Sequence, residues 1–180
     1  VLCLTACAKG TPDPVAPVAP LTPAQVQAFD RGIDFVATLQ GLEGRWRDDW
    51  DRDLQTRVGA ASLVALVTVR TLRTDTSPEQ QVTYRLVAQV DRELVGKPKR
   101  GQELELAVSA DELGFSSVHE NIGRIADHQY VAYVMAGPEG SSWHLSPASA
   151  EVVSETESVI SQLDRGMKQN AGEQVIVRTN

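Results

Sequence analysis

Gln81 to Asp91 reads Gln-Val-Thr-Tyr-Arg-Leu-Val-Ala-Gln-Val-Asp. No other stretch so narrows what the chain can become. Side chains alternate across a strand, so Val82, Tyr84, Leu86, Ala88 and Val90 share one face. Thr83, Arg85, Gln89 and Asp91 take the other, with Val87 the one apolar intruder. This is the pattern of a half-buried strand. It is the middle of three β-patterned runs between Ala60 and Ser109. Before it, Leu63 to Val67 is apolar on both faces, which predicts a centrally placed, doubly covered strand over 61–72. After it, Glu103 to Val108 alternates cleanly as a third. Asp75, Ser77 and Pro78 mark the turn between the first two. The loop 95–101 between the second and third is bounded by Gly96 and Gly101.

Helical patterns flank this β core. Thr22 suits an N-cap, Pro23 the first helical position and Gln25 the closing place of a capping box. Leu21 and Val26 are spaced as a hydrophobic staple. Val26, Phe29, Ile33 and Val36 then predict one helical face. Leu42, Trp46, Trp50, Leu54 and Val58 predict a second apolar stripe. Arg45 and Asp49, Arg47 and Asp51, and Asp48 and Arg52 are each set to pair across one turn. Further on, Val118, Ile122 and Ile125 suggest a short helix or lid, with Ser116 or Ser117 as its cap. Strands are expected at 130–135 and 142–145, joined by the turn Gly137-Pro138-Glu139-Gly140. A helix capped by Ser146-Pro147 follows, with the stripe Val152, Thr156, Val159 or Ile160, Leu163 and Met167. Gly172 is expected to break it, leaving 174–178 as an edge strand or tail.

The fold class expected is α+β, mainly antiparallel β. From Ala60 to Leu145 the layout resembles a small Greek-key barrel of the OB or netrin-like kind. The resemblance rests on a long first hairpin, a Lys/Gly-containing loop, a helical insert, a Tyr-rich strand and a Gly-turn-Trp strand. An open antiparallel sheet with helices on one face is the alternative. The resemblance carries no residue-specific motif, so it transfers no site. One globular domain is expected over 22–180, with helices in 22–58, a β core at 60–145 and a C-terminal helix at 147–168.

The two cysteines, Cys3 and Cys7, both lie in the first seven residues, so the domain has no disulfide and no thiolate metal site. Leu4-Thr5-Ala6-Cys7 resembles the lipobox of bacterial lipoproteins: an apolar residue, two small ones, then Cys. The resemblance implies cleavage before Cys7 and acylation of its thiol, so residues 1–7 would be the end of a signal region. Ala8, a non-Asp residue after the Cys, resembles an outer-membrane sorting signal. The expected location is therefore the outer membrane, facing the periplasm, with the bilayer contacted through acylated Cys7. Residues 8–21 carry Pro12, Pro14, Pro17 and Pro20. Such density favours polyproline II, and at ~3.1 Å per residue this tether reaches on the order of 40 Å. No apolar run is long enough for a spanning helix.

The formal net charge is -7, and phosphate binding needs a concentrated positive field, so no nucleic-acid partner is expected. Lys97, Lys99 and Arg100 are the one local cluster of positive charge, a candidate contact for lipid headgroups, lipopolysaccharide phosphate or an acidic partner. Trp46, Trp50 and Trp143 are the alternative contact, as stacking platforms for sugar. Catalytic motifs all depart from their patterns. His119-Glu120 opens a zinc-protease motif, but Gly123 stands at the second His. Asp49, Asp51 and Asp53 start like a calcium loop, but Leu54 replaces its Gly and Ala60 its Glu. Gly114-Phe115-Ser116-Ser117-Val118 lacks the last Gly of a nucleophile elbow. Gly96-Lys97 lacks both the earlier Gly and the Ser or Thr of a phosphate loop. Glu103 and Glu105 share a strand face, as solubilising carboxylates often do, and His119, His128 and His144 are expected at the surface or at helix ends. The sequence thus predicts no catalytic residue, no metal and no cofactor. The function expected is a binding or scaffold subunit of an envelope assembly with a protein partner. The alternatives are a carbohydrate- or peptidoglycan-contacting module and, third, an envelope hydrolase.

Overall fold

The computed structural model describes residues 20–137 and 140–176. Its elements are α1 (Pro23–Ala28), β1 (Gly32–Ile33), α2 (Arg45–Ala60), β2 (Leu63–Thr76), β3 (Val82–Val95), β4 (Glu103–Ser109), α3 (Phe115–His119), a 3-10 turn (Ile122–Arg124), β5 (Gln129–Gly137), β6 (Gly140–Pro147) and α4 (Ala150–Ile176). The lipobox, nearly all of the Pro-rich tether, Pro138, Glu139 and the last four residues lie outside the described residues.

One sheet of six strands runs in the order β1-β6-β5-β2-β3-β4. All neighbours are antiparallel except β1 and β6, which are parallel. The doubly apolar β2 takes an inner place, as its composition requires. On β3, Tyr84, Leu86, Ala88 and Val90 are buried and Arg85 is exposed, so the alternation read in the sequence is the alternation of the fold. These residues join Ala65, Val67, Val69, Leu106, Val108, Ala132 and Trp143 in the core on the concave side. β5 alternates between two cores. Tyr130 and Ala132 face that first core, while Val131, Tyr133 and Met135 face a second, roofed by Leu54 and Val58 of α2 and Val152 and Val159 of α4. That double cover explains its nearly unbroken apolar run.

The sheet curls into a half-barrel. Trp143 on β6 lies in its hollow and donates its indole N–H to the carbonyl of Ala107 on β4, 3.0 Å away, across the opening between the sheet's two ends. Residues 30–34, which carry the end strand β1, meet α3 and the residues before it at that opening. Arg31 N–H donates to Trp143 O (2.9 Å) and Gly114 N–H to Asp30 O (2.8 Å), while Arg31 pairs with Glu112. A Cβ on Gly114 would meet the backbone N of Gly32 at 2.3 Å, so only glycine permits this approach.

Several boundaries differ from expectation. The capping box of Thr22 and Gln25 forms, but α1 stops at Ala28. Arg31 adopts φ 60° and Ile33 joins β1, so Val26, Phe29, Ile33 and Val36 form no helical stripe. Pairing with β6 overrides local periodicity there. In α2, Trp50, Leu54 and Val58 are buried, but Trp46 is 75% exposed. The helix begins only at Arg45, so Trp46 sits in its first turn, beyond the roofed core. Arg45–Asp49 and Arg47–Asp51 pair as expected, whereas Arg52 takes Asp49 rather than Asp48. Ser116 and Ser117 do not cap α3. Gly114 holds that place, and Ser117 Oγ accepts from Ile33 N–H instead. α4 is capped by Ser149 and continues through Gly172 to Ile176, so the expected break there and an edge strand from 174 are not found. Residues 177–178 of that call lie outside the described residues.

Candidate functional site

The basic loop is built by its glycines and by Pro98. β3 must leave the sheet beside the start of β2, and a Cβ on Gly96 would meet Ser62 O at 2.8 Å. Gly96 and Gly101 both have positive φ (92° and 82°), the region that favours glycine. Pro98 is buried and anchors the loop, while Lys97, Lys99 and Arg100 are exposed. A turn closes it. Gln102 N–H donates to Lys99 O (2.9 Å), Lys99 N–H to Gln102 Oε1 (3.1 Å) and Gly101 N–H to Val90 O (2.8 Å). No carboxylate among the described residues pairs with the three cations, although most other arginines of the fold are paired. Three unsatisfied positive charges therefore project from a well-braced turn, where they cost little and attract an anionic surface.

A second polar cluster went unrecognised in the sequence. It lies under α2 at the β1–β6 edge. His144 is buried, which corrects the expectation of a surface histidine. On β6 it points away from Trp143 and Leu145, so alternation drives it to the opposite face, where the side chains of Asp30 and Asp34, on either side of β1, reach it. Its Nδ1 lies 2.8 Å from Asp30 Oδ1 and its Nε2 3.2 Å from Asp34 Oδ2. Asp34 also accepts from Ser146 Oγ (2.7 Å) and pairs with the buried Arg57 (3.3 Å), which donates in turn to Ala28 O (2.9 Å). The Arg57 guanidinium stands 6.0 Å from the Tyr133 ring centre, and Tyr133 hydroxyl bonds Thr156 Oγ1 at 2.8 Å. Burial pushes that phenol well above its ordinary value of 10.0. Burial would raise the Asp34 carboxyl too. The hydrogen bond and charge of His144, then the charge of Arg57 and the Ser146 bond, outweigh it and hold Asp34 below 3.8.

Ser, His and Asp meet here, but in an order unlike that of a nucleophilic triad. Ser146 donates to Asp34 rather than to His144, and each ring nitrogen faces a carboxylate, leaving neither to take a proton from a hydroxyl. The arrangement staples residues 30–34 to the sheet. A group with a lowered folded value contributes stability above its unfolded value and loses it as pH falls through the folded one. Urea midpoints should therefore fall on acidification below about pH 4. Asp34→Asn should lose that portion of the acid dependence. At pH 7 it should cost roughly 3–5 kcal/mol, because the buried Arg57 guanidinium is left without its counter-charge.

The other histidines do not join it. His119 ends α3, stacks on Phe115 (5.5 Å) and bonds Tyr84 hydroxyl at 2.6 Å. His128 is exposed, with Nδ1 2.9 Å from Ala126 O. No group of three metal-binding side chains converges among the described residues. Glu103 and Glu105 are exposed on β4.

The chain matches no family model, no curated protein and no solved structure. The site thus stands on its own geometry.

The three tryptophans separate. Trp143 is 1% exposed within the half-barrel and Trp50 is 7% exposed beneath α2, with the Arg47 guanidinium 5.6 Å over its ring. Neither offers a free ring face, so the expected platform of Trp46, Trp50 and Trp143 reduces to Trp46 alone. Among the described residues no helix is long and apolar enough to cross a membrane.

Proposed function

We propose that this chain is a non-enzymatic envelope lipoprotein, held through acylated Cys7 at the periplasmic face of the outer membrane. Its domain serves as a binding or scaffold subunit, and the loop from Lys97 to Arg100 contacts an acidic surface of a protein partner. The observation that carries this reading is the loop: three cations, none paired with a carboxylate among the described residues, on a turn braced by Pro98, Gly96 and Gly101. Rigid strands hold recognition loops usefully in place. The engagement of both His144 nitrogens supports binding rather than hydrolysis at the buried cluster.

The test is the triple variant K97S/K99S/R100S. Its thermal midpoint should shift by no more than a few degrees, since exposed charges contribute little to folding. Recovery of crosslinked envelope complexes should fall on the order of tenfold. For the wild type, recovery should also decline as salt rises, because steering between exposed charges is screened. Undiminished recovery with the triple variant would remove the loop from the interface.

A further inference from the structure

A cleft of about 510 Å³ lies between the first three turns of α2 and residues 24–42. Its size falls within the ~300–1,000 Å³ range of small-ligand sites. Trp46 stands at its mouth with most of its indole in water. The helix buries Trp50, Leu54 and Val58 of the same stripe, so the indole of Trp46 adds little to folding and keeps its ring faces free for a ligand. At the cleft's solvent-open rim, Asp49 pairs with Arg45 at 3.3 Å and with Arg52. Asp53 lines the wall with no hydrogen-bond or ionic partner among the described residues. Trp50 forms part of the lining, and its buried indole N–H has no acceptor among the described residues.

The charges on the lining balance. Asp34, Asp49 and Asp53 face Arg45, Arg52 and Arg57. A cleft with no net charge has no preference for a phosphate or for a basic peptide. It does present, side by side, carboxylates that accept and guanidiniums that donate, beside one flat apolar ring. A pyranose has the complementary form: an apolar C–H face for the indole, and a rim of hydroxyls that each donate and accept. We propose that this cleft binds a neutral saccharide, with one pyranose ring stacked on Trp46 and its hydroxyls bonded to Asp53 and to the Asp49–Arg52 pair. The site is independent of the basic loop, so either can fail without the other.

The experiment uses the full chain in a phosphocholine detergent, which has no sugar headgroup, with its indole nitrogens labelled for NMR. The probes are chitotetraose, cellotetraose and maltotetraose, with tetraglutamate and tetralysine peptides as controls. At least one tetrasaccharide should shift the Trp46 indole resonance saturably at millimolar concentration or below. The Trp143 indole, bonded to Ala107 O, should stay in place. Trp46→Ala should weaken that binding roughly tenfold or more without altering the melting temperature, and Asp53→Asn should weaken it too. The proposal is overturned if no tetrasaccharide moves the Trp46 resonance, if a charged peptide moves it instead, or if Trp46→Ala binds sugar as tightly as the wild type.

Discussion

Leu86→Asp should abolish the native fold, while Arg85→Asp, one residue away, should leave it nearly intact. Leu86 is fully buried, and its cross-strand partners are Leu72 on β2 and Leu106 on β4. Three leucines thus cross the sheet in one row. Removing the middle one forfeits about 1.5–3 kcal/mol of apolar burial. The carboxylate that replaces it finds no partner in a core of Val, Leu and Tyr, and an unpaired buried charge costs several kcal/mol more. The sum approaches the ~5–15 kcal/mol that holds an ordinary domain together. The variant should therefore be recovered aggregated, or without a cooperative urea transition in tryptophan fluorescence. Arg85 points to water and pairs with Asp75 at 2.6 Å. Reversing its charge breaks an exposed ion pair and sets two carboxylates near each other, a loss of about 1 kcal/mol or less. Equal damage from both substitutions would mean that the faces of β3 are wrongly assigned, since a one-residue slip exchanges them.

The legible parts of the fold were those where one segment carries its own signal. β3 and β4 each have one wet and one dry face, so period-two alternation named their buried residues directly. β5 was legible as a strand but not as one shared by two cores, because burial on both faces erases alternation. The end of α1 was illegible for another reason. Ile33 has the spacing of a helical stripe, yet it belongs to a two-residue strand whose partner is Leu145. No local rule contains that pairing. Trp46 failed in the same way: its spacing matches Trp50 and Leu54, but it stands beyond what the helix covers.

Local signals also governed what could be read of the sites. Gly96 and Gly101 bracket Lys97, Lys99 and Arg100 within a few residues, so that loop was visible at once. The Asp30–His144–Asp34 cluster joins residues separated by 110 to 114 positions. Its only trace in the sequence is the alternation of polar His144 and Ser146 with apolar Trp143 and Leu145, which marks a face but names no partner. The cleft at Trp46 combines a local pattern, the charge-paired turns of α2, with a wall from residues 24–42 that only the fold supplies.

A module that works at the bilayer must be held there, and in the proposed function the tether does this. One acyl chain binds a membrane marginally and reversibly, so the anchor proposed at Cys7 would need more than one chain. The tether of Pro12, Pro14, Pro17 and Pro20 would then stand the domain on the order of 40 Å from the headgroups. The deciding measurement is incorporation of labelled palmitate into the full-length chain, compared among wild type, Cys3→Ser and Cys7→Ser. Wild type and Cys3→Ser should label equally and sediment with membranes. Cys7→Ser should show no label above background and should lose stable membrane attachment. Label retained by Cys7→Ser, or lost in Cys3→Ser, would contradict the lipid anchor and with it the placement of this module at a membrane.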